Sequence, residues 1–380
     1  MKSYLLLLCM LFIPATISAA EIQQIWLTHR SHQPDKIVVN WSTSLPGNSI
    51  VYFGLTPDSM TTVKAEGSTT LHHVEIPLTA RDALYHYRVQ TGNQFSDLAT
   101  FKAYPTDSLR VAIVADWQSR PDLSSLLKDN VHLLLTAGDN ISNLWQTCGP
   151  GKPDCIQPYL DLIGAYPELF RSTPFMPILG NHDREVYPRG KKPPKHAVYD
   201  VDATAFRRFF ELPDEEWKWK YDIPDFNILF VGLDFNHISD LGSTWQTCHP
   251  LNRDSKQYCW YESITQNPPG HLVTLYNERN ATMRNQLQGD WERLFQRGTL
   301  CVTGFGYFAE RAEAGGVTYY NTSLSGTGAQ YADPHAKFLA GKDSYLLLHS
   351  DRNSGVLTVE LKSLKNEVLD RQRFPPRSKK

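Results

Sequence analysis

The chain is 380 residues long and sets 38 Lys and Arg against 40 Asp and Glu, a formal net charge of −2. With 41% hydrophobic and 12% aromatic residues it is too apolar to stay disordered. Its charge balance leaves no electrostatic footprint for nucleic acid or an anionic membrane surface. At about 100–200 residues per domain, two domains are expected, and nothing in the composition fixes an oligomeric state.

The N-terminus reads as a targeting segment. Lys2 gives a positive start, residues 5–13 an apolar run, and Ser18-Ala19-Ala20 a small-residue cleavage site. The run is too short to span a bilayer, so a signal peptide over 1–20 is expected. Lipidation at Cys9 is the alternative. No later segment is apolar enough for a membrane span, and the mature protein is expected to be secreted or periplasmic. Five cysteines then remain. Cys148/Cys155 and Cys248/Cys259 are spaced as two local disulfides, which an exported chain can keep. Zinc binding with His249 is the competing reading. Cys301, in an apolar run, reads as a buried thiol.

Residues 21–105 look all-β. Strand-like runs fall at 36–43, 49–54, 73–78 and 84–89, with Pro46-Gly47-Asn48 as a turn between the first two. Such short, punctuated runs suggest a small sandwich. Trp41 is expected in its core, Tyr87 at its corner hydrogen bond, and residues 103–107 as a linker.

From residue 109 the pattern changes. Apolar runs at 111–115, 131–137, 175–179, 228–233, 272–275 and 300–303 alternate with helix-length amphipathic stretches, which argues an α/β domain over 109–365. A basic tail follows over 366–380, expected to fray from Arg371. The runs end, in order, in Asp116-Trp117-Gln118, Gly138-Asp139-Asn140, Gly180-Asn181-His182-Asp183, Asp234-Phe235-Asn236-His237, Tyr276-Asn277-Glu278 and Gly304-Phe305-Gly306-Tyr307. Ligands of open α/β sheets collect outside the carboxyl ends of the strands. Polar groups at several successive ends therefore point to one cleft, although a lone strand-end carboxylate more simply caps the next helix. The tetrapeptide Trp-Gln-Thr-Cys occurs twice, at Trp145 and at Trp245, each time after one of these ends. It reads either as loop stabilisation or as a paired aromatic rim for a substrate.

At these residues the chain resembles the calcineurin-like metallophosphoesterases, in their purple-acid-phosphatase-like branch. Gly138-Asp139-Asn140 and Gly180-Asn181-His182-Asp183 are similar to two signature blocks. Phe206-Arg207-Arg208-Phe209-Phe210-Glu211-Leu212-Pro213 and Gln257-Tyr258-Cys259-Trp260 resemble the segments that follow, and residues 304–311 resemble the last block. The resemblance implies two mixed β-sheets flanked by helices, preceded by a fibronectin-like sandwich. It implies phosphate-ester substrates and a two-metal centre. By the family's example Asp116, Asp139 and Asn181 are metal ligands, His182 assists at the phosphoryl or leaving-group oxygen, and Asp183 orients His182.

The family's histidines are missing. Gln118 stands where many members carry His, Ser142 where purple phosphatases carry a ligating Tyr, Asn277 (or Tyr276, one residue away) at the His after the fifth strand, and Phe305 and Tyr307 at both histidines of the last block. Amides are weak donors and Phe305 is none. One ion (Fe, Mn, Zn, Mg or Ca) is thus expected rather than two, with Gln118, Asn277 and a Tyr307 phenolate as candidate additional ligands, and His237 or His249 as replacements. Two readings of function follow: an exported phosphoester hydrolase with a reduced metal site, or an inactive phosphoesterase fold that binds a partner through its Trp-bearing loops. A hydrolase of another ester is a third, without a nucleophile motif to support it.

Overall fold

The computed structural model describes residues 20–191, 193–328 and 331–377. The signal-peptide reading, save its last residue, lies outside them, as do residues 378–380 of the basic tail. Among the described residues no helix is long and apolar enough to cross a membrane.

The first part of the chain is a β-structure of six strands: β1 (Ile22–Thr28), β2 (Lys36–Thr56), β3 (Ser59–Pro77), β4 (Leu84–Thr91), β5 (Gln94–Phe95) and β6 (Ala99–Lys102). The turn expected at Pro46-Gly47-Asn48 is absent. β2 runs through it, because β3 keeps pairing on both sides and absorbs the irregularity as register shifts around Gly47. The first half of β2 pairs with β1 and the second half with β4, so one bent sheet supplies both layers. Trp41, Val51, Ile76 and Phe101 from the two halves meet in one core. Trp41 is buried there as expected, stacked 4.6 Å from His72. The corner tyrosine is Tyr85, not Tyr87: its hydroxyl accepts from the N–H groups of Thr79 (2.8 Å) and Ala80 (2.9 Å). Tyr87 instead donates to the Arg171 carbonyl at 2.8 Å, fastening this sheet to the rest of the molecule.

Thirteen further strands follow: β7 (Ser108–Val114), β8 (Leu133–Thr136), β9 (Phe175–Met176), β10 (Trp219–Ile223), β11 (Ile228–Gly232), β12 (His271–Tyr276), β13 (Leu300–Thr303), β14 (Ala309–Ala314), β15 (Val317–Asn321), β16 (Ala336–Ala340), β17 (Ser344–Asp351), β18 (Leu357–Ser363) and β19 (Val368–Phe374). They form two mixed sheets, ordered β19-β18-β17-β7-β8-β9 and β10-β11-β12-β13-β15-β14-β16. The β7, β8 and β9 neighbours are parallel, and so are β11, β12 and β13, so each group delivers its loops to one end. Alternation then sorts the side chains. Phe230, Val273, Leu275 and Val302 enter the core shared by the two sheets. Val231, Leu272, Tyr276 and Cys301 face outward into a second core, which Tyr261, Trp291 and Phe295 on the covering helices close.

A further expectation fails here. Residues 368–374 do not fray; they pair with β18 as an edge strand, and Arg371 meets Glu360 at 2.6 Å. The linker segment is packed on both sides. Tyr104 is buried, 3.1 Å from both His29 and the Tyr221 hydroxyl, and Trp26 stacks on Phe209 at 4.2 Å across the same junction.

Candidate metal and phosphate site

The site begins where β7, β8 and β9 stop. Asp116 and Asp139 both adopt left-handed backbone, φ 54° and 56°, which non-glycine residues do at some cost and which clusters at functional turns. The turns brace each other, Trp117 N–H donating to the Asp139 carbonyl at 2.7 Å. Gly180 is required next to them: a Cβ there would overlap the Asp139 carboxylate and its backbone nitrogen. Asp116 is 2% and Asp139 6% exposed. Asp139 accepts from Gln118 Nε2 and from the His182 backbone N–H, both at 3.2 Å. Asp116 Oδ2 is buried with no hydrogen-bond partner among the described residues, and so is Asn181 Nδ2. Burial first, then the charge of Asp139, pushes the Asp116 carboxyl well above the usual range, with the Ser323 hydroxyl only partly offsetting them.

His182 sits in the first turn after Asn181. Its Nδ1 points at the Ser142 carbonyl, and its Nε2 lies 3.1 Å from Arg189 Nη2. A carbonyl only accepts and a guanidinium only donates. The ring therefore carries its proton on Nδ1 and offers Nε2 as an acceptor. Asp183, expected to orient this ring, does not touch it. It accepts from Gly180 N–H (2.8 Å), from the backbone and side-chain nitrogens of Asn140, and more weakly from Tyr159 at 3.4 Å. It ties the two signature loops together, while Ser142 and Arg189 hold His182. Burial and Asp139 push the Asp183 carboxyl up; the Gly180 and Asn140 donors pull it back.

The other candidates separate. Gln118 and Tyr307 do reach the site, as a relay: Tyr307 donates to Gln118 Oε1 at 2.7 Å, and Gln118 donates to Asp139. Burial, Asp116 and Asp139 raise the Tyr307 hydroxyl, and its proton is engaged with Gln118, in contrast to the expected phenolate ligand. Asn277 lies alongside but is fully engaged. Its amide donates to the carbonyls of Ala137 (2.8 Å) and Gly304 (2.6 Å), and its Oδ1 accepts from Asn236. This clamp between the two sheets leaves no spare donor for a metal. Tyr276 is buried in the outer core and bonds Asn280. His249 is committed to Asp234 at 2.7 Å and stacked 3.9 Å from Trp217; Asp234 also takes Arg184, an ion pair with both side chains fully buried. His237 stands at the rim, 6.5 Å from the Phe305 ring, its imidazole shifted down by burial and Arg189 and back up by Asp139.

Of the cysteine pairs, Cys148–Cys155 is a disulfide. Cys248 and Cys259 are free: Cys248 is buried in the outer core, whereas Cys259 faces solvent on the Lys256–Ile264 helix, whose inward face is Gln257, Tyr258 and Tyr261. Cys301 is buried and free, as expected. Nor does Trp145 form an open aromatic rim, since its indole N–H donates to Glu185 at 3.1 Å. Arg189 and Glu185 were not among the residues the sequence singles out. They stand outside the strand-end blocks, and their only signal was a basic residue shortly after Gly-Asn-His-Asp.

The calcineurin-like phosphoesterase model matches residues 109–298, half of the chain, and the chain belongs to that family. Two solved structures share the architecture. A purple acid phosphatase from yellow lupin (Lupinus luteus) seeds is 14% identical over 92% of this chain and 74% of its own, with a TM-score of 0.69. PhoD is 11% identical over 92% of this chain and 88% of its own, with a TM-score of 0.64. Among curated proteins none matches the sequence.

The family's metal chemistry meets a thinned donor set here. Among the described residues no three of His, Cys, Asp and Glu are grouped to hold an ion. Asp116 and Asp139 alone form an anionic pair, and the orphaned Asp116 Oδ2 fits one oxygen-bound cation; the unpaired Asn181 Nδ2 is a donor, so Asn181 would join the ion only with its amide turned to present Oδ1. The clamped Asn277 and the aromatic Phe305 do not fit a second.

Proposed function

We propose that the protein is an exported phosphoester hydrolase working with one bound cation, held by Asp116, Asp139 and Asn181. The observation that carries this reading is the buried, unpartnered Asp116 Oδ2 beside the Asp139 carboxylate. A buried anionic pair without a compensating cation is costly. When bound, such a cation polarises a phosphoryl oxygen and makes hydroxide accessible near neutral pH. The chain's own residues shape the site: Gln118 and the His182 backbone N–H fix the Asp139 carboxylate, and Ser142 and Arg189 hold the His182 ring beside it. Export rests on the N-terminal apolar run, and the Cys148–Cys155 disulfide supports it.

The test is metal analysis of protein purified without chelator, followed by hydrolysis of an aryl phosphate with Mn²⁺, Mg²⁺, Zn²⁺ or Fe added. One ion per chain is expected, with turnover that falls about a thousandfold in Asp139→Asn. Two ions per chain, or full activity in that variant, overturns the proposal. A second reading, a non-hydrolytic binder of phosphate groups, is favoured by Phe305 and the engaged Asn277; it stands if no ion is retained and no turnover occurs while inorganic phosphate still binds.

A further inference from the structure

The family resemblance does not account for the positive charge that Arg189 brings to the cleft. Its side chain is 35% exposed and its guanidinium is set in place from several directions. Nε and Nη2 each lie 3.0 Å from Glu185 Oε2, and Nη2 also reaches His182 Nε2. Nη1 bonds to no described residue. Glu185 is itself a fixed support, its side chain only 6% exposed. Its other oxygen accepts the Trp145 indole N–H, and its carbonyl accepts the backbone N–H groups of Leu144 (3.0 Å) and Trp145 (3.3 Å). The Trp145–Cys148 helical turn, closed by the Cys148–Cys155 disulfide, thus buttresses Glu185, and Glu185 aims Arg189. A surface ion pair that serves only stability needs no such bracing and contributes little.

The charge count points the same way. Asp116, Asp139 and Glu185 bring three carboxyl groups against one guanidinium, and a divalent cation joining the ionised Asp116 and Asp139 offsets the charge that remains. The cleft is then neutral, and Arg189 is its only side-chain cation named here with an N–H pair free of described partners. Guanidinium forks match the paired oxygens of a phosphoryl group. We propose that Arg189 grips the phosphoryl oxygens of the ligand, supplying the positive charge that a second metal would otherwise bring, and that Glu185 and Trp145 are positioning residues for it. This rests on the phosphate-ester reading above but not on turnover.

The experiment is calorimetric titration of inorganic phosphate into the full chain with Mn²⁺ present, for the wild type, Arg189→Gln, Arg189→Lys and Trp145→Phe, with the ion content of each measured. Wild type is expected to bind. Arg189→Gln should keep its ion and lose about 30- to 100-fold in affinity; Arg189→Lys, which keeps charge but not the fork, should fall between; Trp145→Phe should lose severalfold. Thermal unfolding of the same variants identifies any that fail to fold, and Arg189→Lys then decides. Wild-type affinity in Arg189→Gln, or a wild type that does not bind phosphate, overturns the inference. The first of these alongside Asp139-dependent turnover leaves the hydrolase reading standing; Arg189-dependent binding with no turnover does the reverse.

Discussion

The ends of β7, β8 and β9 and the ends of β11, β12 and β13 open onto the same cleft, but their polar groups are used differently. At the first set Asp116 Oδ2 and Asn181 Nδ2 are buried without partners, and Asp139 is held only by long bonds of 3.2 Å. At the second set most groups satisfy one another, although Asn236 Oδ1 also stays buried without a partner among the described residues. The Asp234 carboxylate takes Arg184 and His249 while its backbone N–H donates to Gln257 Oε1, Asn236 donates to Asn277, and Asn277 donates across to Ala137 and Gly304. Capacity to hold a ligand therefore follows from what is left unpaired and not from residue type alone, since Asn181 and Asn277 are the same amide in opposite conditions.

Paired substitutions break this comparison most sharply. Asp139→Asn should lower turnover about a thousandfold, as above, while leaving urea unfolding near wild type, because it removes one of two like charges from a buried site. Asn277→Ala should do the opposite. It strands the Ala137 and Gly304 carbonyls, a loss of about 2 kcal/mol in urea unfolding, with turnover per folded molecule within about threefold of wild type. An Asn277→Ala protein of normal stability and no activity would make the two sets one functional unit.

The closed side also buries an acid. Glu310 is 2% exposed, accepts the Asp333 N–H at 2.7 Å, and is pushed up to about 7, by burial first and by the Asp333 charge, against nearby Arg279 and Arg284. A raised carboxyl holds its proton in the folded chain after the unfolded chain has lost it. Its contribution is complete below the ordinary value of 4.5 and fades as pH rises to about 7. Unfolding free energy should thus fall by on the order of 2 kcal/mol over that window. Glu310→Gln, which keeps an acceptor for Asp333, should flatten that part of the curve; an unchanged slope would mean Glu310 is ionised in the fold.

What the sequence could disclose follows the range of the forces involved. Strand runs and strand-end motifs are local, and residues 111–114, 228–232 and 300–303 fall on strands, continuously apolar because both of their faces are buried. Pro46-Gly47 misleads because pairing with a distant strand overrides a local turn signal. The repeated Trp-Gln-Thr-Cys makes the point most directly. At Trp145 it winds into a helical turn under the Glu185 carbonyl; at Trp245 it is an irregular turn whose Thr247 hydroxyl bonds the Asn236 carbonyl. Cys248 and Cys259 failed to pair for a similar reason, one in the core and one on the outer face of a helix. Asp116, Asp139, Asn181 and His182 were visible as motifs, but the role of Asp183 and the presence of Arg189 depend on which partners the fold delivers.

The smallest expected effect lies on the boundary between the two sets, where Tyr307 from the loop after β13 bonds Gln118 from the loop after β7. Tyr307→Phe removes one neutral hydrogen bond from a half-buried position, about 1 kcal/mol or less. Because the Tyr307 hydroxyl is engaged with Gln118, wild-type protein loaded with Fe³⁺ should be free of a violet absorption band, and its visible spectrum should match that of Tyr307→Phe. A violet band present in wild type and lost in the variant would show the hydroxyl leaving Gln118 for the ion. Tyr307 would then belong to the open set, and the division between donors kept free and donors tied up would run through β13 instead of between the two sheets.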